Sequence, residues 1–305
     1  MRRISPGRLG GGLAALFFVP LAPLVFLGAL VTCSAEDVAG EDGGSPGGSA
    51  RAEEEYIHPD FALTGGDLAE MTAELPESLR EQIGSDPLGF LEALGPVLET
   101  DPDFLRLVDK DHPLTPDYEP DDLVSLDGTG LSVSRSGHRL RRAILIDLNR
   151  MNDAALEEGI TLLISSAYRS YSYQETVYER HVESMGREEA SRVSAEPGKS
   201  QHQLGTTIDF GSITPEYAST PAGMWLRENG WRYGFSLSYP EGMEEETGYM
   251  HECWHFRYIT PAAARLEKLF FDGVQQYMLE FLHANRDILD RALTRAAGEA
   301  SAAAE

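Results

Sequence analysis

The sequence predicts an α+β domain in which helices flank a small antiparallel sheet. The segment 140–156 repeats apolar residues at the spacing of an amphipathic helix. The run ITLLIS is aliphatic and ends in a polar, aromatic-rich loop, as a buried strand does. Helices combined with a few strands that do not alternate strictly between apolar and polar residues favour this fold class.

Further elements follow the same pattern along the chain. A second helix is predicted from about Ser172 to Met185, and the stretch HQLGTTIDFG has the composition of a strand. The stretch TPAGMWLRENGWRYGF predicts a short helix that ends at Gly230 and leads into another strand. These elements belong to one domain, which we place at residues 107–260.

Other segments surround this domain. We expect a flexible linker at 34–55, which is rich in Gly, Ser and acidic residues, and a helical preface at 56–106. A long C-terminal helix follows at 261–297, interrupted at Gly273, and a disordered low-complexity tail at 298–305.

The first 33 residues predict export from the cytoplasm. Three arginines in the first eight residues precede an apolar stretch at 13–31, and acidic residues follow it. Leu30 lies three residues before Cys33, as in lipoprotein signals, so we expect a lipid anchor at Cys33 and a location in the cell envelope or periplasm. Ordinary cleavage nearby and an uncleaved membrane anchor are the alternatives.

Composition limits the function further. The 305 residues, 42% of them hydrophobic, can bury one main core with appendages. A formal net charge of −25 argues against nucleic acid as a partner. If Cys33 is lipidated, Cys253 is a lone thiol and no disulfide supports the fold.

The sequence SQHQLGTTIDFG places two metal-ligand types in one segment. His202 and Asp209 are seven positions apart, so a regular strand would point them to opposite faces. Gly205 can bend the chain between them and allow both side chains to reach one metal ion. Taken alone, the pair is better explained as a hydrogen-bonded histidine and a turn-stabilising aspartate.

The stretch HECWH matches the H-E-x-x-H pattern of zinc peptidases with a metal-binding helix. Its Cys, Trp, Phe and Tyr residues favour a strand, and Gly248 and Pro261 limit the segment, so the helix interpretation fails. We expect an irregular turn at Cys253, with Glu252 at its edge and His255 on a strand. His251 then only completes an accidental match.

His202, Asp209 and His255 with Glu252 nearby make up the composition of a catalytic zinc site. Such a site has three protein ligands, an open position for water and a general base. We therefore predict one zinc ion, with Glu252 as the base.

Four motifs in this order resemble the zinc D-alanyl-D-alanine carboxypeptidases and dipeptidases of bacterial cell walls, which include the vancomycin-resistance carboxypeptidases. The motifs are SAYRSYSYQ, SQHQLGTTIDFG, WLRENGWRYGFSLSYP and TGYMHECWHFRY. The resemblance implies the zinc D-Ala-D-Ala metallopeptidase fold and removal of terminal D-alanine from peptidoglycan stem peptides. An L,D-carboxypeptidase, a D,D-dipeptidase and a non-catalytic peptidoglycan-binding lipoprotein are the alternatives, and the oligomeric state stays open.

By position, the resemblance also implies residue roles. His202, Asp209 and His255 match the zinc ligands and Glu252 matches the catalytic base. Arg169 matches an arginine that binds and polarises the substrate, while the positions of Gln174 and Ser200 contact the substrate. Cys253 replaces a proline of the family, either as a small buried hydrophobic residue or as a thiol near the zinc. Arg257 is expected to form a framework ion pair.

Overall fold

Two large hydrophobic cores organise the described part of the chain, one among helices and one around a four-stranded sheet. The computed structural model describes the backbone of residues 55–303 and the side chains of residues 55–297. The predicted signal at 1–33 and nearly all of the predicted linker lie outside the described residues. Among the helices described, none is long and apolar enough to cross a lipid bilayer.

Three helices form the predicted preface, namely α1 (Gly65–Met71), α2 (Glu77–Ser85) and α3 (Pro87–Leu98). Thr64 begins α1 with a capping box, in which its hydroxyl and the side chain of Asp67 each bond to the other residue's backbone N–H. Similar capping begins α3, because Pro87 follows an aspartate whose carboxylate accepts from the N–H of Gly89. Local sequence therefore defines these helices.

The C-terminal segment forms α9 (Pro261–Phe270) and α10 (Gln275–Ala303). The break between them contains Gly273, as predicted, and this glycine adopts a left-handed conformation with φ of +70°. The helix continues past residue 297, so the prediction of a disordered tail is wrong as far as Ala303. The alanines and glutamates of this tail favour a helix once one has begun.

The helical core joins the preface to α9 and α10. Phe90 of α3 is fully buried, and its ring meets the rings of Phe270, Phe271 and Phe281 at centroid distances of 5.3–6.2 Å. The N–H of Ala62 also donates to a carbonyl of α10. The start and the end of the described chain are thus packed into one unit.

The second core lies around the strands. The structure has β1 (Leu123–Ser125), β2 (Arg139–Arg141), β3 (Ile164–Ser166), β4 (Thr207–Phe210), β5 (Phe235–Leu237) and β6 (His255–Tyr258). The first two form a separate antiparallel pair, and the others form an antiparallel sheet in the order β3-β4-β6-β5. Small antiparallel sheets with helices around them confirm the predicted α+β class.

Helices of this half are α4 (Leu145–Glu157), α5 (Tyr171–Met185), α6 (Arg187–Val193), α7 (Pro221–Asn229) and α8 (Glu244–Thr247). The predicted helix at 140–156 begins late, because residues 139–141 pair with β1 and bury Leu140. The strand predicted from ITLLIS shrinks to β3, and the HQLGTTIDFG strand shrinks to β4. The helix from about Ser172 and the helix ending at Gly230 are confirmed as α5 and α7.

Arg257 connects the two cores. The expected framework ion pair is wrong, because its Nη2 donates instead to the backbone carbonyls of Phe104 and Arg106, at 3.0 and 2.7 Å. Complete burial lowers the pKa of this guanidinium to about 10. The arginine ties β6 to the end of the helical preface.

Candidate metal centre and active-site cleft

A cavity of about 610 Å³ lies between α5 and the turn that precedes β6. All residues that the sequence predicts for catalysis, substrate binding or metal binding line it, namely Arg169, Gln174, Ser200, His202, Asp209, Glu252 and His255. Motifs that are far apart in the chain therefore meet in one cleft.

Gly205 brings the first two predicted ligands together. His202 belongs to a 3₁₀ turn, Gln201–Leu204, which ends at Gly205 with φ of +70° in the left-handed region. A Cβ at Gly205 would lie 2.8 Å from the side chain of Leu123, so a larger residue would be both strained and crowded. Asp209 follows on β4. The predicted bend is confirmed.

The sheet register brings in the third residue. Asp209 of β4 lies directly opposite His255 of β6. The side-chain ligand atoms of His202, Asp209 and His255 all lie within 4.8 Å of one another. The distance from His202 Nε2 to Asp209 Oδ2 is 3.2 Å, and from His255 Nδ1 to Asp209 Oδ1 it is 3.3 Å. Each residue is at most 4% exposed, so the cluster is shielded from bulk solvent.

Hydrogen bonds to the outer ring nitrogens orient both imidazoles. His202 Nδ1 lies 2.7 Å from the carbonyl of Ala167, and His255 Nε2 lies 3.2 Å from Oε1 of Gln201. The hydroxyl of Ser238 donates to the same Gln201 oxygen. His202 therefore presents Nε2, and His255 presents Nδ1, to Asp209. Histidine ligands of metals are commonly held in this way.

The donor set fits a metal ion. His202 Nε2 and Asp209 Oδ1 are buried and make no hydrogen bond within the described residues. The nearest other ligand atom is Asp209 Oδ2 for His202 Nε2, and His255 Nδ1 for Asp209 Oδ1. Two nitrogens and one carboxylate oxygen are ligands that Zn²⁺ accepts. A metal ion would satisfy both buried atoms.

Electrostatics also favour a cation at this point. Burial lowers the pKa of His202 to about 4, which keeps this imidazole neutral. Burial alone would raise the pKa of Asp209, but His202 and Arg169 hold it well below its ordinary value. Burial opposes protonation of His255, yet the neighbouring carboxylates of Asp209 and Glu252 raise its pKa to about 9. The carboxylates thus draw a positive charge, which a metal ion can supply in place of the proton.

Glu252 lies beside the three residues without completing a helix. A turn precedes β6, and the N–H of His255 donates to the Glu252 carbonyl at 3.1 Å. Glu252 Oε2 lies 3.1 Å from His255 Nδ1, with its side chain 17% exposed. The turn predicted at Cys253 and the rejection of an H-E-x-x-H helix are confirmed. A partly exposed carboxylate beside the metal position can exchange a proton with water or substrate.

Two other residues of the HECWH stretch, Cys253 and His251, are not part of the metal centre. Cys253 is 8% exposed in the sheet core, with Sγ 3.6 Å from the carbonyl of Thr214, and it does not line the cleft. Burial raises the pKa of its thiol. His251 lines the cleft, but its Nδ1 lies 2.9 Å from the Tyr239 carbonyl. The structure therefore favours Cys253 as a buried apolar residue.

Arg169 contacts the predicted ligand Asp209 and also Ser166, which the sequence did not indicate as a site residue. Its Nε donates to the Ser166 hydroxyl at 3.0 Å, and its Nη2 donates to Asp209 Oδ2 at 2.5 Å. The arginine lines the cleft with its side chain 18% exposed. It can therefore orient the Asp209 carboxylate, while its role in substrate binding stays a prediction.

The two other predicted substrate contacts are buried. Ser200 is 4% exposed, and its hydroxyl accepts from the N–H of His202. Gln174 is 1% exposed and donates from Nε2 to the carbonyl of Ala195 at 2.7 Å. Its Oε1 has no hydrogen-bond partner within the described residues, so this oxygen is free to accept from a bound molecule.

Sequence reasoning missed the residues that support the metal centre. Gln201 fixes His255, and the ring of Tyr239 lies 4.7 Å from the His255 ring. Neither residue stands in a pattern of ligands, so nothing in their spacing could have identified them. Their roles become visible only when strands distant in sequence are paired.

The sequence was then compared with known proteins. The family model of VanY, D-alanyl-D-alanine carboxypeptidase, matches residues 137–261. The VanXYC protein of Enterococcus gallinarum, named a bifunctional D-Ala-D-Ala dipeptidase and carboxypeptidase, is 31% identical over 51% of this chain and 83% of its own length. The chain belongs to the VanY family. The family predicted from the four motifs is thus confirmed, and the matched segment contains every predicted site residue.

Two further proteins resemble this chain over slightly more than half of its length. YodJ of Bacillus subtilis (strain 168), named provisionally as a carboxypeptidase, is 36% identical over 53% of this chain and 62% of YodJ. The chain therefore covers less than two thirds of this relative. The solved LdcB LD-carboxypeptidase, whose structure describes peptidoglycan recognition, is 33% identical with a TM-score of 0.54, over 59% of this chain and 87% of LdcB. The VanY-type metallopeptidase fold is confirmed.

Proposed function

We propose that this chain is a zinc-dependent D-alanyl-D-alanine carboxypeptidase that removes the terminal D-alanine from peptidoglycan stem peptides. The observation that carries the proposal is the convergence of His202, Asp209 and His255 within 4.8 Å, next to the Glu252 carboxylate. The names of the VanY family and of VanXYC support the same activity. One zinc ion would be held by these three ligands.

Each residue of the cleft has a defined task in this reaction. A bound zinc ion supplies Lewis-acid polarisation and lowers the pKa of water to roughly 7. Glu252 takes the proton of the attacking water and delivers it to the leaving amine of D-alanine. Arg169 keeps the Asp209 carboxylate oriented through its Nη2, and it lies close enough to the centre to polarise the scissile carbonyl.

Substrate binding uses the buried end of the cleft. The free Oε1 of Gln174 accepts from an N–H of the peptide, and the Ser200 hydroxyl donates to its terminal carboxylate. Both side chains are enclosed, which suits a chain end better than the middle of a long peptide. This arrangement is appropriate for a carboxypeptidase.

Product analysis by mass spectrometry tests the function. The zinc-loaded protein is incubated with defined pentapeptide and tetrapeptide muropeptides and with free D-Ala-D-Ala, beside a Glu252→Ala control. Loss of one alanine from the pentapeptide, absent in the control, is the expected result. Shortening of the tetrapeptide alone would replace the proposal with an L,D-carboxypeptidase, which the similarity to LdcB favours as the second candidate. No cleavage of either peptide, or cleavage of free D-Ala-D-Ala only, would contradict the proposal.

Metal analysis tests the ligand assignment separately. We expect His202→Ala to lose nearly all bound zinc, whereas His112→Ala, which removes an exposed histidine outside the cleft, keeps it. Equal zinc content in both variants would exclude His202 as a ligand.

The cellular location belongs to the same proposal. An exported chain tethered at Cys33 would hold the enzyme where its substrate is, in the cell envelope, and the linker would allow it to reach the wall. Mass spectrometry of protein extracted from membranes should find a lipid-modified N-terminal Cys33. An unmodified mature N-terminus there would contradict the tether.

A further inference from the structure

The cleft contains a cation that the proposed reaction does not use. Arg135 lines the same cavity as the metal centre and is exposed. Within the described side chains it makes no ion pair and no hydrogen bond, although the sequence has 50 acidic residues against 25 basic ones. Arg135 precedes the segment that matches the VanY family, which begins at residue 137.

The position of Arg135 is determined by β3. Residues 132–134 run beside this strand, with a parallel bridge between Val133 and Ile164. The N–H of Ile164 donates to the Ser132 carbonyl at 2.8 Å, and the N–H of Ser134 donates to the Ile164 carbonyl at 2.9 Å. Arg135 therefore lies next to the end of β3, and the loop that follows β3 contains Arg169.

The charges of the cleft favour one class of group. Among the described residues that line it, the only carboxylates are those of Asp209 and Glu252, and both lie at the metal centre. Arg169 is already paired with Asp209. An ammonium group of a ligand that binds away from the metal would therefore have no carboxylate to pair with. A carboxylate group of the ligand could instead form an ion pair with the guanidinium of Arg135.

We propose that Arg135 binds a free carboxylate of the stem peptide on the N-terminal side of the scissile bond. This inference rests on the proposed function. The terminal carboxylate is assigned to the enclosed end at Ser200, which is 4% exposed, whereas Arg135 is exposed at the rim. Two groups offer the required chemistry, the α-carboxylate of a γ-linked D-glutamate and the side-chain carboxylate of a diaminopimelate residue. Arg135 is thus a specificity-determining residue.

A binding experiment on the zinc-loaded, full-length Glu252→Gln protein tests this assignment without turnover. Isothermal titration compares pentapeptides that carry D-glutamate or D-isoglutamine, and L-lysine or diaminopimelate at the third position. We expect about 10-fold tighter binding of one carboxylate-bearing peptide than of its uncharged counterpart. Arg135→Gln should remove this preference, and Arg135→Lys should restore part of it. Arg142→Gln, which removes an exposed arginine outside the cleft, should leave it unchanged.

The pair of peptides that shows the preference identifies the carboxylate. Equal binding of charged and uncharged peptides, a preference that survives Arg135→Gln, or the absence of binding by all peptides would overturn the inference. The preference should also weaken as salt rises, because Arg135 is exposed. If the wild-type protein cleaves none of the peptides but binds them with this preference, the proposed activity is wrong and the role of Arg135 stands.

Discussion

The N-terminal helical segment and the active-site cleft of this molecule differ in their buried polar groups. In the described N-terminal helical segment, residues 55–106, no buried side-chain nitrogen or oxygen lacks a hydrogen-bond partner. On the sheet side, Gln174 Oε1, His202 Nε2 and Asp209 Oδ1 all lack one, and they line the same cleft. These three unsatisfied groups therefore lie where a metal ion and a substrate would bind.

This difference separates stability from function. A buried polar group without a partner costs about 1–3 kcal/mol, and a chain retains such groups when a ligand satisfies them. The apolar helical core around Phe90 offsets this cost. Changes in the helical region should therefore alter stability, whereas changes in the cleft should alter activity and metal binding.

The largest expected effect lies in the cleft. Replacing Glu252 with glutamine removes the proposed base without changing its size, so kcat should fall about 10³-fold. The zinc content and the melting temperature should stay close to those of the wild type, because this side chain is at the edge of the cluster. Glu280→Gln, which changes an exposed acid on α10, is the matched control. Steady-state kinetics with full activity in Glu252→Gln would exclude this residue as the base.

The helical region should show the opposite response. Phe90→Ala removes a fully buried ring that contacts three other phenylalanines, so it should lower the free energy of unfolding by about 3–5 kcal/mol. At temperatures where both proteins are folded, kcat should not change. Leu88→Ala, at a 44% exposed position on the same helix, should cost less than about 1 kcal/mol. Urea unfolding measures both variants, and a large loss of kcat in folded Phe90→Ala would show that the regions are coupled.

Metal removal tests whether zinc binding to the cleft stabilises the folded state. Zinc at 100 to 1,000 times its Kd should add about 3–4 kcal/mol to the free energy of unfolding, because it binds only the folded state. A chelator should remove this increment from the wild type and from Phe90→Ala equally, since distant sites are additive. His202→Ala should show no increment, and calorimetry with and without chelator checks this result.

Sequence alone predicted the candidate site better than the elements that carry it. The types and order of His202, Asp209, Glu252 and His255 indicated a metal centre because metal ligands are chemically distinctive. Gly205 and the glycines and prolines near His255 also revealed the bend and the turn. Patterns of this kind are local, so they can be recognised without knowledge of the fold.

Other features depend on contacts between distant segments. Nothing near Leu140 indicates that residues 139–141 pair with β1, so a helical pattern was extended over a strand. Gln201 supports His255 only because β4 and β6 are neighbours, and Arg257 reaches carbonyls about 150 positions earlier in the chain. Tertiary packing overrides local propensity at such places.

Glu267 offers the most specific test, because α9 contacts both α3 of the helical region and β5 of the sheet. Its side chain is 5% exposed with Oε2 lacking a hydrogen-bond partner in the described part of the chain, and burial raises its pKa from 4.5 to about 8. Between these pH values the folded state binds a proton that the unfolded state has released. Stability should therefore be greatest below pH 4.5 as far as this group is concerned, and decrease as the pH rises to about 8.

Glu267→Gln removes this dependence. The variant should gain about 4 kcal/mol in free energy of unfolding at pH 8, and little at pH 4.5. Glu92→Gln, at an exposed position of α3, should show no such pH-dependent gain. Urea titrations across this pH range provide the measurement, and an equal gain at both ends would mean that packing, and not the buried carboxylate, limits stability at this boundary. A gain in stability without loss of kcat would show that the buried carboxylate of Glu267 destabilises the boundary between the two cores and takes no part in catalysis.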